Sequence, residues 1–247
     1  MRIAVTGGRG VLGRLVVERL AGHDVRVVSR RSGPGLVSAD LKTGRGLAEA
    51  VAGVDAVVHC ATEMRRAAEV TMTRNLVEAV RDAHVVYVSI VGVDRVPLSY
   101  YRGKLAAEEV VAGSGLPWTV LRATQFHDLL RVGFARLSSL PLLFAPNVPV
   151  QPVEVAEVAQ RLAELATGEP LGRAPDFGGP EVRDVPDLAR SFLAATGRRR
   201  RVVRVSLPGG VFRAYRAGGH LGGDGGRTTF EQHLAALPDP FGGYRHN

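Results

Sequence analysis

As far as Leu140, short β-branched runs alternate with longer stretches in which apolar residues recur at helical spacing. That rhythm predicts βαβ units, with strands over 3–6, 25–29, 36–39, 56–60, 85–90 and 119–122 in a parallel sheet. The intervening helices are expected over 11–21, 47–52, 68–82, 100–112 and 128–138. In the first of them Leu12, Leu15, Val16 and Leu20 share one side, and Gly22 stands where a helix terminator belongs. The expected architecture is a doubly wound Rossmann α/β fold with right-handed crossovers.

The pattern changes after Leu140. Pro141, Pro146, Pro149 and Pro152 mark turns ahead of a helix over 154–167. The turn Gly178-Gly179-Pro180, a helix over 185–196, a strand over 202–206 and two further short helices follow. We therefore expect a dinucleotide-binding domain over 1–140 and a smaller α/β cap over 141–237, packed in the same compact unit above the carboxyl edge of the sheet. Residues 238–247 are expected to form a loosely ordered tail.

Composition narrows the class. With 45% hydrophobic and 23% charged residues over 247 positions, the chain has the make-up of a folded globular protein. The single cysteine, Cys60, excludes an intrachain disulfide and fits a reducing compartment, although a lone thiol can still react with a partner. No basic segment with an apolar run and a cleavage site opens the sequence, and no apolar stretch reaches the length of a membrane span. The expectation is a cytoplasmic protein with no membrane partner.

Lysine and arginine number 32 against 24 acidic residues, for a net charge of +8. The run from Arg198 to Arg201 lacks interleaved aromatics, so a solvated loop edge is a better reading than nucleic-acid binding. A phosphorylated cofactor would account for part of the excess. The histidines are scattered, and adjacency of His59 and Cys60 in a strand turns them to opposite faces, so no metal site is expected.

The chemistry begins at Gly7-x-x-Gly10-x-x-Gly13, which follows a strand and opens a helix. Gly7, Arg9, Gly10, Val11, Leu12 and Gly13 form the expected pyrophosphate cradle, because small residues admit the phosphates and the free N–H groups of a helix start attract them. After the second strand, where an acidic residue would bind the ribose of NAD, the chain reads Ser29-Arg30-Arg31. Arg30 and Arg31, with Arg9, suit the 2′-phosphate of NADP(H). The alternative is that they face water. Asp40, followed by Leu41, stands where a side chain would accept from the adenine amino group.

Tyr100 and Lys104 are spaced i, i+4 at a helix start, so they share one face. Beside an ammonium and an oxidised nicotinamide ring a tyrosine can exchange protons near neutrality, which suits donation to a carbonyl oxygen as hydride arrives, while Lys104 is also expected to hold the nicotinamide ribose. Ser89, at the end of the fifth strand, stands where it can hydrogen-bond the same oxygen. A partly buried aromatic beside a snorkelling lysine is the competing account.

These residues resemble the short-chain dehydrogenase/reductase superfamily, in its atypical NmrA-like branch. The likeness runs through Thr6 to Gly13, His59-Cys60-Ala61, Thr73 to Ala79, Val88 to Val93, Tyr100 to Glu108 and Ser114 to Phe126, with Gln151-Pro152-Val153 and Gly179-Pro180-Glu181 beyond. It implies cofactor binding at the glycine loop, Arg30, Asp40, Ala61 and Thr62, and catalytic roles for Ser89, Tyr100 and Lys104. One position departs: where many relatives carry a relay asparagine, this chain has Glu69, and Asn75 matches a separate structural position.

The leading expectation is an NADPH-dependent oxidoreductase that reduces a small carbonyl or quinone, as a monomer or a homodimer paired through the helices over 100–112 and 128–138. A non-catalytic NADP(H)-binding redox sensor is the alternative, and a nucleotide-sugar epimerase or dehydratase ranks third.

Overall fold

In a computed structural model, which describes residues 1–242, the first half of the chain winds through β1 (Arg2–Thr6), α1 (Val11–Arg19), β2 (Asp24–Ser29), β3 (Leu36–Ser38), α2 (Leu47–Ala50), β4 (Ala56–His59), α3 (Arg66–Ala79), β5 (His84–Ile90), α4 (Ser99–Ala112), β6 (Trp118–Ala123) and α5 (His127–Leu137). The rest comprises β7 (Leu142–Pro146), β8 (Pro149–Val150), α6 (Val155–Thr167), β9 (Gly172–Arg173), β10 (Phe177–Gly178), β11 (Arg183–Asp184), α7 (Val185–Ala195), β12 (Arg201–Val205), α8 (Gly210–Arg216), β13 (Asp224–Gly225) and α9 (Phe230–Ala236).

The main sheet is parallel throughout and runs β13-β10-β6-β5-β4-β1-β2-β3, with β9 pairing β6 at one side. Its central strands are buried on both faces. One face, carrying Ile3, Val5, Val58 and Val86, packs on α1 and α6. The other, carrying Ala4, Val57, Val85 and Tyr87, packs on α2, α3 and α4. This is the doubly wound Rossmann arrangement, and it explains why β4 reads Ala-Val-Val-His without polar alternation.

Local sequence sets the details. Helix α1 ends at Arg19 on a turn closed by His23 N donating to the Leu20 carbonyl at 2.9 Å. Gly22, expected as the helix terminator, is not among the positive-φ glycines. Helix α6 turns an apolar stripe of Val155, Val158, Ala159, Leu162 and Ala166 onto α1 and the sheet. Burial of such a face, rather than intrinsic propensity, is what holds a helix of this length.

The residues after Leu140 divide between two layers. Helix α6 and strands β9, β10 and β13 build out the main sheet and its cover. The remainder forms a second core of Leu143, Ala145, Leu188, Phe192, Phe230 and Leu234. The proline-marked stretch, expected as turns, instead holds β7, which pairs in parallel with β12. Helix α8 joins this cap to the sheet, since Val211, Ala214 and Tyr215 pack on Tyr100, Tyr101 and Leu105 of α4.

The expected tail lies partly outside the described residues. Where it is described it is packed: Phe241 meets Phe192 edge-on at 5.5 Å, Arg198 covers the Phe241 ring at 4.3 Å, and Arg131 donates to the Pro240 carbonyl at 3.0 Å.

Candidate functional site

Parallel strands bring the expected residues to one edge. Gly7 follows β1, Arg30 and Arg31 follow β2, Asp40 and Leu41 follow β3, Ala61 and Thr62 follow β4, and Ser89 lies near the end of β5, in the spatial order β3-β2-β1-β4-β5. In a doubly wound sheet the carboxyl edge is where connections diverge and leave a crevice.

The glycine loop fits a dinucleotide because side chains have no room there. Gly7 has a φ of +66°, and a Cβ on it would stand 2.6 Å from Ala61 N. A Cβ on Gly13 would meet the Gly7 carbonyl oxygen at 2.2 Å, so the first turn of α1 presses directly on the loop. Gly10 caps α1 without a side-chain hydrogen bond, and no acidic residue occupies the first turn. The N–H groups of that turn are therefore available to an anion.

Arg9, Arg30 and Arg31 are exposed, and none enters an ion pair among the described residues. The neighbouring loop is pinned from below. Asn75 donates to the carbonyls of Leu41 and Lys42 at 2.8 and 3.2 Å, the structural role expected of it, while Asp40 Oδ1 accepts from Lys42 N at 2.9 Å. Lys42 in turn reaches Glu63 at 2.5 Å, linking the loops after β3 and β4.

Tyr100 and Lys104 both lie on α4, but their polar atoms have different partners. The Tyr100 hydroxyl meets Thr62 Oγ1 at 3.0 Å. The Lys104 ammonium, 3% exposed, donates to Glu69 Oε1 at 3.1 Å and sits 4.1 Å above the centre of the Tyr87 ring. Glu69, 1% exposed, also accepts from the Tyr87 hydroxyl at 2.8 Å, from Thr62 Oγ1 at 3.1 Å and from Glu63 N at 2.5 Å. Gly103 makes this possible, since a Cβ there would stand 3.1 Å from Arg66 Cα and hold α3 and α4 apart. Farther along α4, Glu108 binds Arg122 of β6 through both oxygens, at 2.8 and 2.6 Å, and clamps the helix to the sheet.

Electrostatics alter one expectation. Burial alone would push Glu69 up, but Lys104, Glu63 N–H and Tyr87 outweigh it and hold the carboxyl below its ordinary value. Burial also pulls Lys104 down, against the attraction of Glu69. Tyr100 lies above its ordinary value, pushed there by burial and by the charge of Glu69, with the Thr62 bond acting in the opposite direction. Lys104 was expected to lower Tyr100. Its ammonium is instead paired with Glu69.

Ser89 is 3% exposed, and its Oγ has no hydrogen-bond partner. Gln125, just beyond β6, is likewise left with both polar side-chain atoms unpartnered. Buried polar groups are seldom left so without a role. Burial pushes the Cys60 thiol up to about 12, away from the thiolate form that a nucleophile needs. Among the described residues no cluster suits a metal ion, and no helix is long and apolar enough to cross a membrane.

Sequence reasoning noted Glu69 but missed its partners. The signal was present: Glu69 falls on the buried stripe of α3 with Met72, Thr73 and Leu76, where a carboxylate requires a counter-charge. Lys104 falls on the buried stripe of α4 in the same way.

Residues 7–167 match the sequence pattern that defines the NAD(P)H-binding family. The chain belongs to that family. An uncharacterised protein of Mycobacterium tuberculosis is 32% identical to this family member over 213 residues, covering 80% of this chain and 23% of that protein. The chain thus spans about a quarter of the length of the curated relatives it matches. Solved structures share the fold. A nucleoside-diphosphate-sugar epimerase from Staphylococcus aureus superposes with a TM-score of 0.81 at 18% identity, covering 95% of this chain and 99% of that one. An Escherichia coli NADPH-dependent quinone oxidoreductase complexed with NADPH gives 0.79 at 18%, covering 94% and 98%. The triphenylmethane reductase of a Citrobacter species complexed with NADP(H) gives 0.75 at 18%, covering 98% of each chain.

Buried histidines are expected to make the family member acid-sensitive. Burial pulls His59 and His220 down to about 4, so in the fold they stay neutral where the unfolded chain protonates them near 6.5. Each therefore subtracts stability as pH falls from about 6.5 towards 4, by about 2 kcal/mol between pH 7 and 5 from the linkage relation. Below about 4.5 the lowered carboxyls of Glu69 and Glu154 act in the same direction. Urea unfolding at pH 7 and pH 5 should show the loss, and a His220→Gln variant should lose about 2 kcal/mol less over that interval.

Proposed function

We propose that the protein is an NADPH-dependent oxidoreductase that reduces a small carbonyl or quinone. The observation that carries this reading is the half-buried Tyr100 hydroxyl at the carboxyl edge of the sheet, on the same edge as the unpartnered Ser89 hydroxyl. The glycine loop and the first turn of α1 would hold the pyrophosphate, with Ala61 and Thr62 beside it. Arg9, Arg30 and Arg31 would hold the 2′-phosphate, with Asp40 and Leu41 against the adenine. The bound dinucleotide supplies hydride. Tyr100 donates a proton to the substrate oxygen, Ser89 steadies that oxygen, and Lys104 supports the site from below. The Escherichia coli quinone oxidoreductase and the Citrobacter reductase, with this fold and a phosphorylated cofactor, support the choice.

The epimerase reading is kept as the weaker one, since the two reductases share this fold and a phosphorylated cofactor. The sensor reading gains from one observation, the commitment of Lys104 to Glu69. Fluorescence titration of NADPH against NADH, followed by a panel of quinones and carbonyls, separates these readings. NADPH should bind at least about tenfold tighter, as expected for a charge-assisted contact, and at least one acceptor should be reduced. Preference for NADH would remove the arginine assignment. NADPH binding without turnover across the panel would favour the sensor.

A further inference from the structure

Three arginines gather at the two helix starts that bracket the contact between Tyr100 and Thr62. Thr62, whose hydroxyl meets that of Tyr100 at 3.0 Å, is followed three and four residues later by Arg65 and Arg66 at the start of α3. Arg102 follows Tyr100 by two residues near the start of α4. The two helices touch here, since a Cβ on Gly103 would stand 3.6 Å from Arg66 Cβ, so Arg66 leaves α3 on the side turned to α4. All three arginines are exposed, and among the described residues none enters an ion pair.

The fold does not account for this concentration of charge. The acidic residues beside them in the chain, Glu63 and Glu69, are already engaged by Lys42 and Lys104. Cations at a helix start oppose its dipole, so Arg65 and Arg66 cost α3 stability where they stand. Nor do they belong to the set suited to a 2′-phosphate. Arg9, Arg30 and Arg31 follow β1 and β2, whereas Arg65 and Arg66 follow β4 and Arg102 follows β5, on the half of the edge that carries Tyr100 and Ser89. Met64, which precedes the arginines, is 67% exposed, more than any other large hydrophobic side chain described. A thioether and a guanidinium both pack well on aromatic rings.

We propose that the substrate of this site is an aromatic carbonyl or quinone that carries a carboxylate or a like anion, held by Arg65, Arg66 and Arg102 with its ring against Met64. This rests on the reductase reading and names the substrate class within it. The anion is held at the rim while the oxygen to be reduced points towards Tyr100 and Ser89. Because the arginines are exposed, their attraction is screened by salt and acts on encounter as well as on affinity.

Matched pairs of probes isolate the charge: 9,10-anthraquinone-2-sulfonate against its uncharged 2-sulfonamide, and 4-carboxybenzaldehyde against its methyl ester. With NADPH, kcat/KM should favour the anion of each pair, and the preference should fall about tenfold in Arg65→Gln/Arg66→Gln/Arg102→Gln, the combined effect of three exposed charge pairs. Each single variant should lose about twofold. Raising salt from about 0.05 M to about 0.5 M should shrink the preference of the parent and leave that of the triple variant unmoved. Met64→Ser should weaken the sulfonate and the sulfonamide by the same factor. Calorimetric titration of both anthraquinones onto protein saturated with NADP⁺ reads the same preference without turnover, since the oxidised cofactor delivers no hydride and covers Arg9, Arg30 and Arg31. Equal affinity of the parent for sulfonate and sulfonamide would overturn the proposal. So would a preference that survives in the triple variant, which would move the anion to other arginines. If the parent reduces no acceptor, the reductase reading fails by itself, and the titration still decides whether Arg65, Arg66 and Arg102 select an anionic ring.

Discussion

Gly13→Ala is expected to abolish measurable NADPH binding and to destabilise the fold by about 3 kcal/mol or more, the upper range for overpacking. The added Cβ would stand 2.2 Å from the Gly7 carbonyl oxygen, 2.7 Å from Gly7 C and 2.8 Å from Gly8 Cα. All of these are backbone atoms, so no flexible side chain can swing aside. Relief requires the first turn of α1 to lift away from β1, and that turn supplies the N–H groups for the pyrophosphate. Structure and binding are therefore lost through one movement. Gly22→Ala is the control, since a Cβ there meets nothing within 4 Å. It should bind NADPH as the parent does and unfold within about 0.5 kcal/mol of it, as surface substitutions do. Denaturant unfolding and fluorescence titration of both variants check the pair, and a Gly13→Ala protein with parental affinity would show that the loop is not the cradle.

The contrast between these glycines also shows what was legible in the chain. Gly13 announces itself by spacing, because a strand, a glycine-rich turn and a helix in that order have few other uses. The doubly wound parallel sheet followed from the alternation of β-branched runs with amphipathic segments, and with it a carboxyl edge, whereas the strand order that gathers Gly7, Arg30, Asp40, Thr62 and Ser89 came from the fold. Gly22 resembled a helix terminator, but the chain closes that end by an ordinary turn at Leu20 instead. Short strands escaped notice for a physical reason: β8, β9, β10, β11 and β13 hold two residues each, too few for any alternation to register. The stretch with Pro141, Pro146 and Pro149 read as turns, yet β7 tolerates Pro146 at its end, where no ladder hydrogen bond is forfeited.

Pairings between helices were the least visible. Both Glu69 and Lys104 could be picked out as charges on apolar stripes, but their meeting depends on Gly103 letting α4 approach α3. That approach joins positions 37 apart in the chain, Arg66 and Gly103, where an added Cβ would stand 3.1 Å from Arg66 Cα. The same holds for Arg122 and Glu108, whose two hydrogen bonds fix the distance between β6 and α4. Sequence periodicity assigns each residue to a face, and only the packed layers determine which faces meet.

Tyr100→Phe is expected to lower turnover with the preferred quinone or carbonyl by about 10²–10⁴-fold, the usual contribution of a positioned general acid. Affinity for NADPH should change little, because the Tyr100 hydroxyl is hydrogen-bonded to Thr62 and is not one of the groups assigned to the pyrophosphate or the 2′-phosphate. Stability should also change little. The ring stays half-buried against Tyr101 and the apolar residues of α8, and a single net hydrogen bond is worth about 1 kcal/mol. Tyr101→Phe provides the opposing case. Tyr101 is buried, and burial together with Tyr215 pushes its hydroxyl far above the ordinary range, so it keeps its proton inside the core rather than presenting it at the edge of the sheet. Its loss should leave turnover within about threefold while altering stability by about 1 kcal/mol. Steady-state kinetics and thermal unfolding of the two variants thus separate chemistry from packing at adjacent positions. Equal kcat in Tyr100→Phe and the parent would transfer the acid role to Ser89 or to bound water.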